Sequence, residues 1–211
     1  MILKLKQDLI NINYLDGKTP LHYALQSGNP EIIQMIHKEK SSLISIRDRY
    51  GKTALHYALQ SGNPEIVQMI LKEMPDLIER KDLNCKTALS YALQSRNPEI
   101  VEMILKEKPS LLNMTYKDDK TALSYALQSG NPEIVQMILK EKPNLIDMMD
   151  GDGISPLSYA LQSGNPELVQ MILKEKPNLI EMMNGNRKSP LSCALDRKST
   201  RLNSSHANIS Y

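Results

Sequence analysis

The chain has 211 residues, with 26 Lys and Arg against 24 Asp and Glu, and this formal charge of +2 is too small to favour a nucleic-acid or membrane partner. Aromatic residues make up 4% and are all tyrosine, so we expect thin layers of Leu, Ile, Met and Ala rather than a ring-rich core. Cys85 and Cys193 give no disulfide framework, which fits a reducing compartment. The chain shows neither a signal peptide nor an apolar run of membrane-spanning length.

The first residues predict an incomplete structural unit. The segment MILKLKQDLI at residues 1–10 copies MILKEMPDLI at residues 69–78. We therefore predict a partial repeat over residues 1–15, consisting of a second helix and its loop. A natural half-repeat cap and a reading frame that starts at an internal Met both explain this beginning.

A repeated motif then organises the chain. Its form is Tyr-Ala-Leu-Gln-Ser-Gly-Asn-Pro-Glu, and it returns nearly unchanged every 34 residues, beginning at Tyr23, Tyr57, Tyr91, Tyr125 and Tyr159. Such self-similarity is the mark of a repeat architecture. We predict one array over residues 16–195, with five full repeats and the start of a sixth.

Each repeat predicts two short helices. In the unit around Gly51, Thr53 is a good N-cap, and Gly62 is expected to end the first helix in a left-handed conformation. Asn63 is expected to cap the second helix, which must end before Pro75. A loop with Leu and Ile then leads into the next unit.

The segment from Asp16 to His22, DGKTPLH, followed by Gly-Asn-x-Glu-Ile-Val, resembles the ankyrin repeat. The resemblance implies an all-α, ankyrin-like solenoid of stacked helix-turn-helix repeats with a 34-residue period and hairpin-like loops. Tetratricopeptide repeats share this period, but their longer first helix and their Trp, Gly and Tyr pattern are missing.

The chain departs from the ankyrin pattern at several positions. The ankyrin repeat usually has 33 residues, one fewer than the period here. The histidine of the family motif is present at His22 and His56 but is replaced by Ser in the later units. The Thr–His hydrogen bond of the family is therefore in doubt in those later units. Arg96 replaces the Gly that ends a first helix, at an expected cost of about 1 kcal/mol if the left-handed geometry is kept.

No motif predicts chemistry, so we expect no enzyme activity, cofactor or metal. Gly17-Lys18-Thr19 lacks the earlier glycine of a phosphate-binding loop, and the Asp150–Gly153 segment fits a turn better than a calcium loop. A methionine repeats on the second helices and is explained either by packing between units or by a soft partner-binding stripe, at Met35, Met69, Met103, Met137 and Met171.

The segment from Asp196 to Tyr211 shares nothing with the repeats. It resembles the conceptual translation of a sequencing-library adapter, and a natural disordered tail is the alternative. We expect a non-native or disordered tail over residues 196–211, and without it the formal charge is zero.

Partner binding is expected at the loops and at the exposed side of the first helices. The loops differ between units while the helices are nearly identical, which fits either a tuned binding rim or drift in weakly constrained loops. Tyr50 and Tyr116 are the expected anchors, because tyrosine offers a large amphipathic area. The candidate protein-binding residues are Arg49, Tyr50, Lys52, Asp82, Asn84, Tyr116, Lys117, Asp118, Asp150, Asp152, Gln60, Gln94 and Gln128.

These features favour a non-catalytic, cytoplasmic scaffold that is monomeric and binds a protein partner, with neither nucleic acid nor membrane as its target. A second interpretation is the targeting array of a larger enzyme, channel or secreted effector. A third is a recently expanded array with little partner selectivity.

Overall fold

The computed structural model describes residues 14–116, 119–183 and 188–192, and these residues form helices, turns and loops without a β-strand. The all-α prediction is therefore confirmed. The chain divides into two compact units, residues 1–111 and residues 112–211.

The described residues of the first unit, 14–111, form three helix pairs. In each pair an eight-residue helix is followed by a ten-residue helix: α1 Pro20–Ser27 and α2 Pro30–Glu39, α3 Ala54–Ser61 and α4 Pro64–Glu73, α5 Ala88–Ser95 and α6 Pro98–Glu107. The short helices stack in chain order, α1 on α3 and α3 on α5, and each long helix packs on its own short partner.

The second unit repeats this arrangement. Its pairs are α7 Ala122–Ser129 with α8 Pro132–Glu141, and α9 Pro156–Ser163 with α10 Pro166–Glu175. Helix α7 stacks on α9, and α8 contacts α10. Stacked helix-turn-helix pairs are the predicted arrangement.

Local capping chemistry sets the helix ends, as the sequence predicts. Gly62 lies at φ 73° after α3, where its left-handed backbone ends the helix. The Asn63 side chain accepts hydrogen bonds from the amides of Glu65 and Ile66 and so caps α4. Helix α4 ends at Glu73, two residues before Pro75.

The stretch after each long helix is more regular than the expected loop. It forms a short 3₁₀ helix in which Leu77 and its equivalents are buried, at Ser41–Ser45, Pro75–Glu79, Pro109–Asn113, Pro143–Asp147 and Pro177–Ile180. In most repeats this segment packs against the long helix that precedes it and adds a buried leucine to the core.

The core is built mainly from aliphatic side chains, as composition predicts. Leu55, Ala58 and Leu59 of α3 are fully buried, and Ile66 and Val67 of α4 are buried with them. The few rings also contribute, because tyrosines such as Tyr91 and Tyr159 are among the largest fully buried side chains.

In the third repeat, Ser90 takes over the capping role that histidine has in the earlier repeats. The amide of Thr53 donates to His56 Nδ1 at 2.9 Å, and the amide of Thr87 donates to Ser90 Oγ at 3.1 Å. Both pairs complete a capping box at the start of a short helix. The predicted left-handed geometry of Arg96 is also present, with φ 59°.

Candidate functional site

Three loops between repeats are tight hairpin-like turns organised by a buried aspartate, at Asp48, Asp82 and Asp150. Asp48 and Lys52 close one loop, with the Asp48 amide donating to the Lys52 carbonyl at 3.0 Å. The Asp48 Oδ1 atom accepts from the amides of Tyr50 and Lys52, both at 2.8 Å. Asp82 does the same for its own loop, accepting from Asn84 and Lys86. One carboxylate oxygen therefore fixes each turn.

The second oxygen of each aspartate ties the loop to a short helix. The Tyr57 hydroxyl donates to Asp48 Oδ2, and the Tyr91 hydroxyl donates to Asp82 Oδ2, each at 2.7 Å. Burial, reinforced by this hydrogen bond to a carboxylate, raises the pKa of Tyr57 and of Tyr91 well above the usual tyrosine range. Both tyrosines are therefore protonated donors at neutral pH.

Two of the candidate binding residues, Asp82 and Asp150, are buried aspartates of these turns. Asp82 and Asp150 are only 5% and 6% exposed. Asp150 Oδ1 accepts from the amides of Asp152 and Ile154, and its other oxygen accepts from Tyr159, so the segment is a turn. Their carboxylates are engaged inside the protein and are not presented to a partner.

Tyr116 also differs from the expectation that it is an exposed anchor. It stands where other loops have the buried aspartate, and it is only 5% exposed. Its ring packs edge-on against Tyr125, with ring centroids 5.0 Å apart. Tyr14 and Tyr23 form the same edge-on pair at 4.9 Å. Two loops thus replace the Asp–Tyr hydrogen bond with a tyrosine pair.

In the first unit, backbone hydrogen bonds join successive loops. The amide of Arg49 donates to the carbonyl of Asp16, and the amide of Leu83 donates to the carbonyl of Tyr50, each at 2.9 Å. Gly17 permits this approach, because a Cβ atom there would lie 2.9 Å from the Arg49 nitrogen. The loops therefore form a continuous, fixed surface.

Side chains between the loops reinforce this surface. The Arg47 guanidinium donates to the carbonyls of Gly51 and Lys81 and so bridges two loops. The ammonium of Lys52 lies 5.5 Å from the ring centroids of both Tyr57 and Tyr91, within cation–π range. Lys52, one of the candidate residues, is consequently half-buried.

Several candidate residues lie at the surface of the loops. Tyr50 is 52% exposed, and Arg49 and Asn84 are exposed in the same unit. Leu83, which the sequence did not single out, is 71% exposed beside Tyr50. In the second unit Asp152 is exposed. Lys117 and Asp118 lie outside the described residues.

The predicted glutamine ladder occupies the short helices. Gln60 on α3 and Gln94 on α5 are exposed, and Gln128 on α7 is half-buried. In the first unit these amides offer neutral hydrogen-bonding groups on stacked helices. They form a candidate surface that remains a prediction.

A second surface lies on the side of the long helices. A groove of about 830 Å³ runs between α4 and α6 and is lined by Met69 and Met103 together with Glu65, Lys72 and Lys108. These two methionines are half-buried, whereas Met35 on α2 is 65% exposed. The repeated methionines of the long helices are thus partly packed and partly exposed, which fits both packing between units and a partner-binding stripe.

Two structural findings bear on other kinds of site. Across residues 14–116, 119–183 and 188–192, no group of three or more His, Cys, Asp or Glu side chains is placed to hold a metal ion. In the same part of the chain, no helix has both the length and the apolar character needed to cross a bilayer.

Comparisons with known proteins place these features in context. Family models match the chain with the descriptions "Ankyrin repeats (3 copies)", over residues 2–82 and 74–147, and "Ankyrin repeats (many copies)", over residues 123–173. No curated protein matches the sequence.

Two solved structures are similar in fold. One shows the predatory endopeptidase Bd0816 from Bdellovibrio bacteriovorus in complex with the immunity protein Bd3460. It matches at 20% identity and a TM-score of 0.71, covering 86% of this chain and 93% of that chain. The other is the ankyrin repeat domain of Bcl-3, a member of the IkappaB protein family, at 23% identity and a TM-score of 0.67, covering 91% of this chain and 86% of that chain.

Proposed function

We propose that this chain, which belongs to the ankyrin repeat family, is a non-catalytic module that binds a protein partner through its loops and the exposed side of its short helices. Ankyrin repeats generally mediate protein–protein interaction. The observation that carries the proposal is the placement of Tyr50 and Leu83. Both are large, exposed side chains on neighbouring loops that a backbone hydrogen bond holds together.

The rigidity of these loops supports binding for a physical reason. Ordering a loop on association opposes binding, and a preorganised surface avoids that entropic cost. Here the Asp48 and Asp82 turns and the bond from Leu83 to Tyr50 fix the backbone before a partner arrives. Tyrosine is also enriched among the residues that dominate binding energy.

The proposal is tested by affinity capture with the full chain as bait, followed by mass spectrometry. In the double variant Tyr50→Ala and Leu83→Ala, the principal captured protein should bind more weakly by at least about 1–2 kcal/mol in a titration with the purified partner. The backbone bonds of the loops remain in this variant.

The matched control is the double variant Ile32→Ala and Met35→Ala. It removes two exposed apolar side chains, 44% and 65% exposed, from the long helix α2. Partner affinity should be unchanged in this control. Equal binding by the native chain and the loop variant would remove the loops from the proposed function.

A further inference from the structure

Two loops of the first unit carry a strong local positive charge. We call residues 46–52 and 80–86 the basic loop row. This row contains two carboxylates, at Asp48 and Asp82, and six cationic side chains, at Arg47, Arg49, Lys52, Arg80, Lys81 and Lys86. The equivalent segments of the next two repeats lack this excess, because residues 114–120 contain two Lys and two Asp, and residues 148–154 contain two Asp and no Lys or Arg.

The long helices of the same unit have the opposite balance. Together α2, α4 and α6 carry seven glutamates and only three lysines. The net charge of the chain is small because these surfaces cancel. Positive charge is therefore concentrated on the loops and negative charge on the long helices, although the net charge is small. This separation of charge would orient an approaching acidic partner towards the loops.

Three cations of the basic loop row are exposed and accessible to a ligand. Arg49, Arg80 and Lys81 are exposed, and within the described residues their side chains form no hydrogen bond and no close ion pair with the protein, although Arg80 acts electrostatically on the carboxyl group of Glu79. The neighbouring Glu79 is already paired with Lys108. Asp48 and Asp82 are buried and occupied by turn amides and tyrosine hydroxyls, so they make no direct ion pair with these cations.

Apolar side chains interrupt the charge at regular places. Leu15, Arg49 and Leu83 occupy the same position in three successive loops, and Leu15 is 100% exposed. Tyr50 follows Arg49 in the sequence, and its carbonyl accepts a hydrogen bond from the Leu83 amide. The surface therefore alternates apolar and cationic groups along a fixed line.

Building on the proposed function, we propose that the basic loop row binds an acidic segment of its protein partner, in which Asp or Glu residues alternate with apolar residues. The carboxylates of the segment pair with Arg49, Arg80 and Lys81, and its apolar side chains pack on Tyr50 and Leu83. Neighbouring repeats are about 10 Å apart, the packing distance of helices, which an extended segment spans in about three residues.

A nucleic acid fits this surface less well. Nucleic-acid sites follow a backbone of regular charge with extended basic stripes. Here the exposed cations are few, Leu83 lies among them, and the long helices of the same unit are acidic. An acidic peptide with apolar side chains uses both kinds of group that the row presents.

The experiment selects ligands from a library of random displayed peptides with the native full chain as target, and then measures the affinity of the synthesised peptides by fluorescence anisotropy. The test variant combines Arg49→Glu, Arg80→Glu and Lys81→Glu. Its matched control combines Lys38→Glu, Lys72→Glu and Lys106→Glu, which makes the same change of charge at exposed positions of the long helices. Circular dichroism verifies that both variants are folded.

The expected result is a set of peptides rich in Asp or Glu and in apolar residues. They should bind the test variant at least about tenfold more weakly and the control within about twofold of the native chain. Equal weakening of both variants would contradict the acidic-segment proposal, because the effect would then follow net charge alone.

Other outcomes separate this inference from the proposed function. Selected peptides that lack acidic residues but still require Tyr50 and Leu83 would overturn the acidic segment and leave loop binding intact. Peptides that ignore both loop residues and loop charge would overturn both proposals. Tight binding of a labelled single-stranded DNA that is lost in the test variant would replace the acidic peptide with a nucleic acid.

Discussion

His56 shows how one buried side chain links helix capping to pH. Its ring is fully buried, with Nδ1 accepting from the Thr53 amide and the ring packed against Tyr91 at a centroid distance of 4.8 Å. Burial lowers the pKa of His56 to about 4, although the nearby Asp82 carboxylate acts in the opposite direction. Burial also lowers the pKa of His22, against the opposing effect of Asp48.

The direction of the pH effect follows from this lowered pKa. In the unfolded chain His56 titrates near its ordinary value of 6.5, so the unfolded state takes up its proton first on acidification. The contribution of neutral His56 to the free energy of unfolding is complete above pH 6.5, and it decreases as the pH falls from 6.5 to about 4. We expect the titration of His56 to lower the free energy of unfolding by about 2–3 kcal/mol between pH 7 and pH 4.5, as measured by chemical denaturation.

The chain supplies its own control for this prediction. Ser90 fills the equivalent position and accepts the same amide hydrogen bond, at 3.1 Å. The variant His56→Ser should therefore keep its cap, lose some stability at pH 7 because the ring contact with Tyr91 is gone, and show a smaller loss between pH 7 and pH 4.5. A pH dependence as steep as that of the native chain would contradict the assignment.

At the level of a single element, the loop of residues 80–86 is stabilised mainly by the hydrogen bonds of Asp82. Asp82 accepts two amides and the Tyr91 hydroxyl while remaining 5% exposed. Removing such an acceptor leaves buried donors unsatisfied, which is one of the changes that destabilise proteins most.

We therefore expect Asp82→Ala to lower the free energy of unfolding by about 2–4 kcal/mol at neutral pH. The matched control is Asp76→Ala, which removes an exposed carboxylate from the 3₁₀ helix Pro75–Glu79 of the same unit and should change it by less than about 0.5 kcal/mol. Denaturant titrations of both variants supply the comparison. Similar values for the two would mean that the turn does not depend on Asp82.

The helix ends could be predicted because their causes are local. Thr53, Gly62, Asn63 and Pro75 each act on backbone groups within a few residues. The role of Asp82 was missed because its key partner, Tyr91, lies nine residues away and on another element. A signal was present, since Asp48, Asp82 and Asp150 each precede a tyrosine by nine residues, whereas Tyr116 breaks the pattern.

At the scale of the whole molecule, the 34-residue period was enough to predict stacked helix pairs, because a repeat cannot bury its apolar face alone. The candidate site was predicted less completely. Arg49, Tyr50 and Asn84 are exposed in the structure, whereas Asp82, Tyr116 and Asp150 are buried. Loop composition indicates where variable residues lie, but only the turn geometry decides which side chains face solvent.

The fixed loops of the first unit form the proposed binding surface. Amide hydrogen exchange of the full chain, with and without its captured partner, measures which of its residues the partner covers. We expect slower exchange at residues 46–52 and 80–86 in the complex, with little change in α4 and α6. Slower exchange confined to those long helices, around the groove lined by Met69 and Met103, would contradict this proposal.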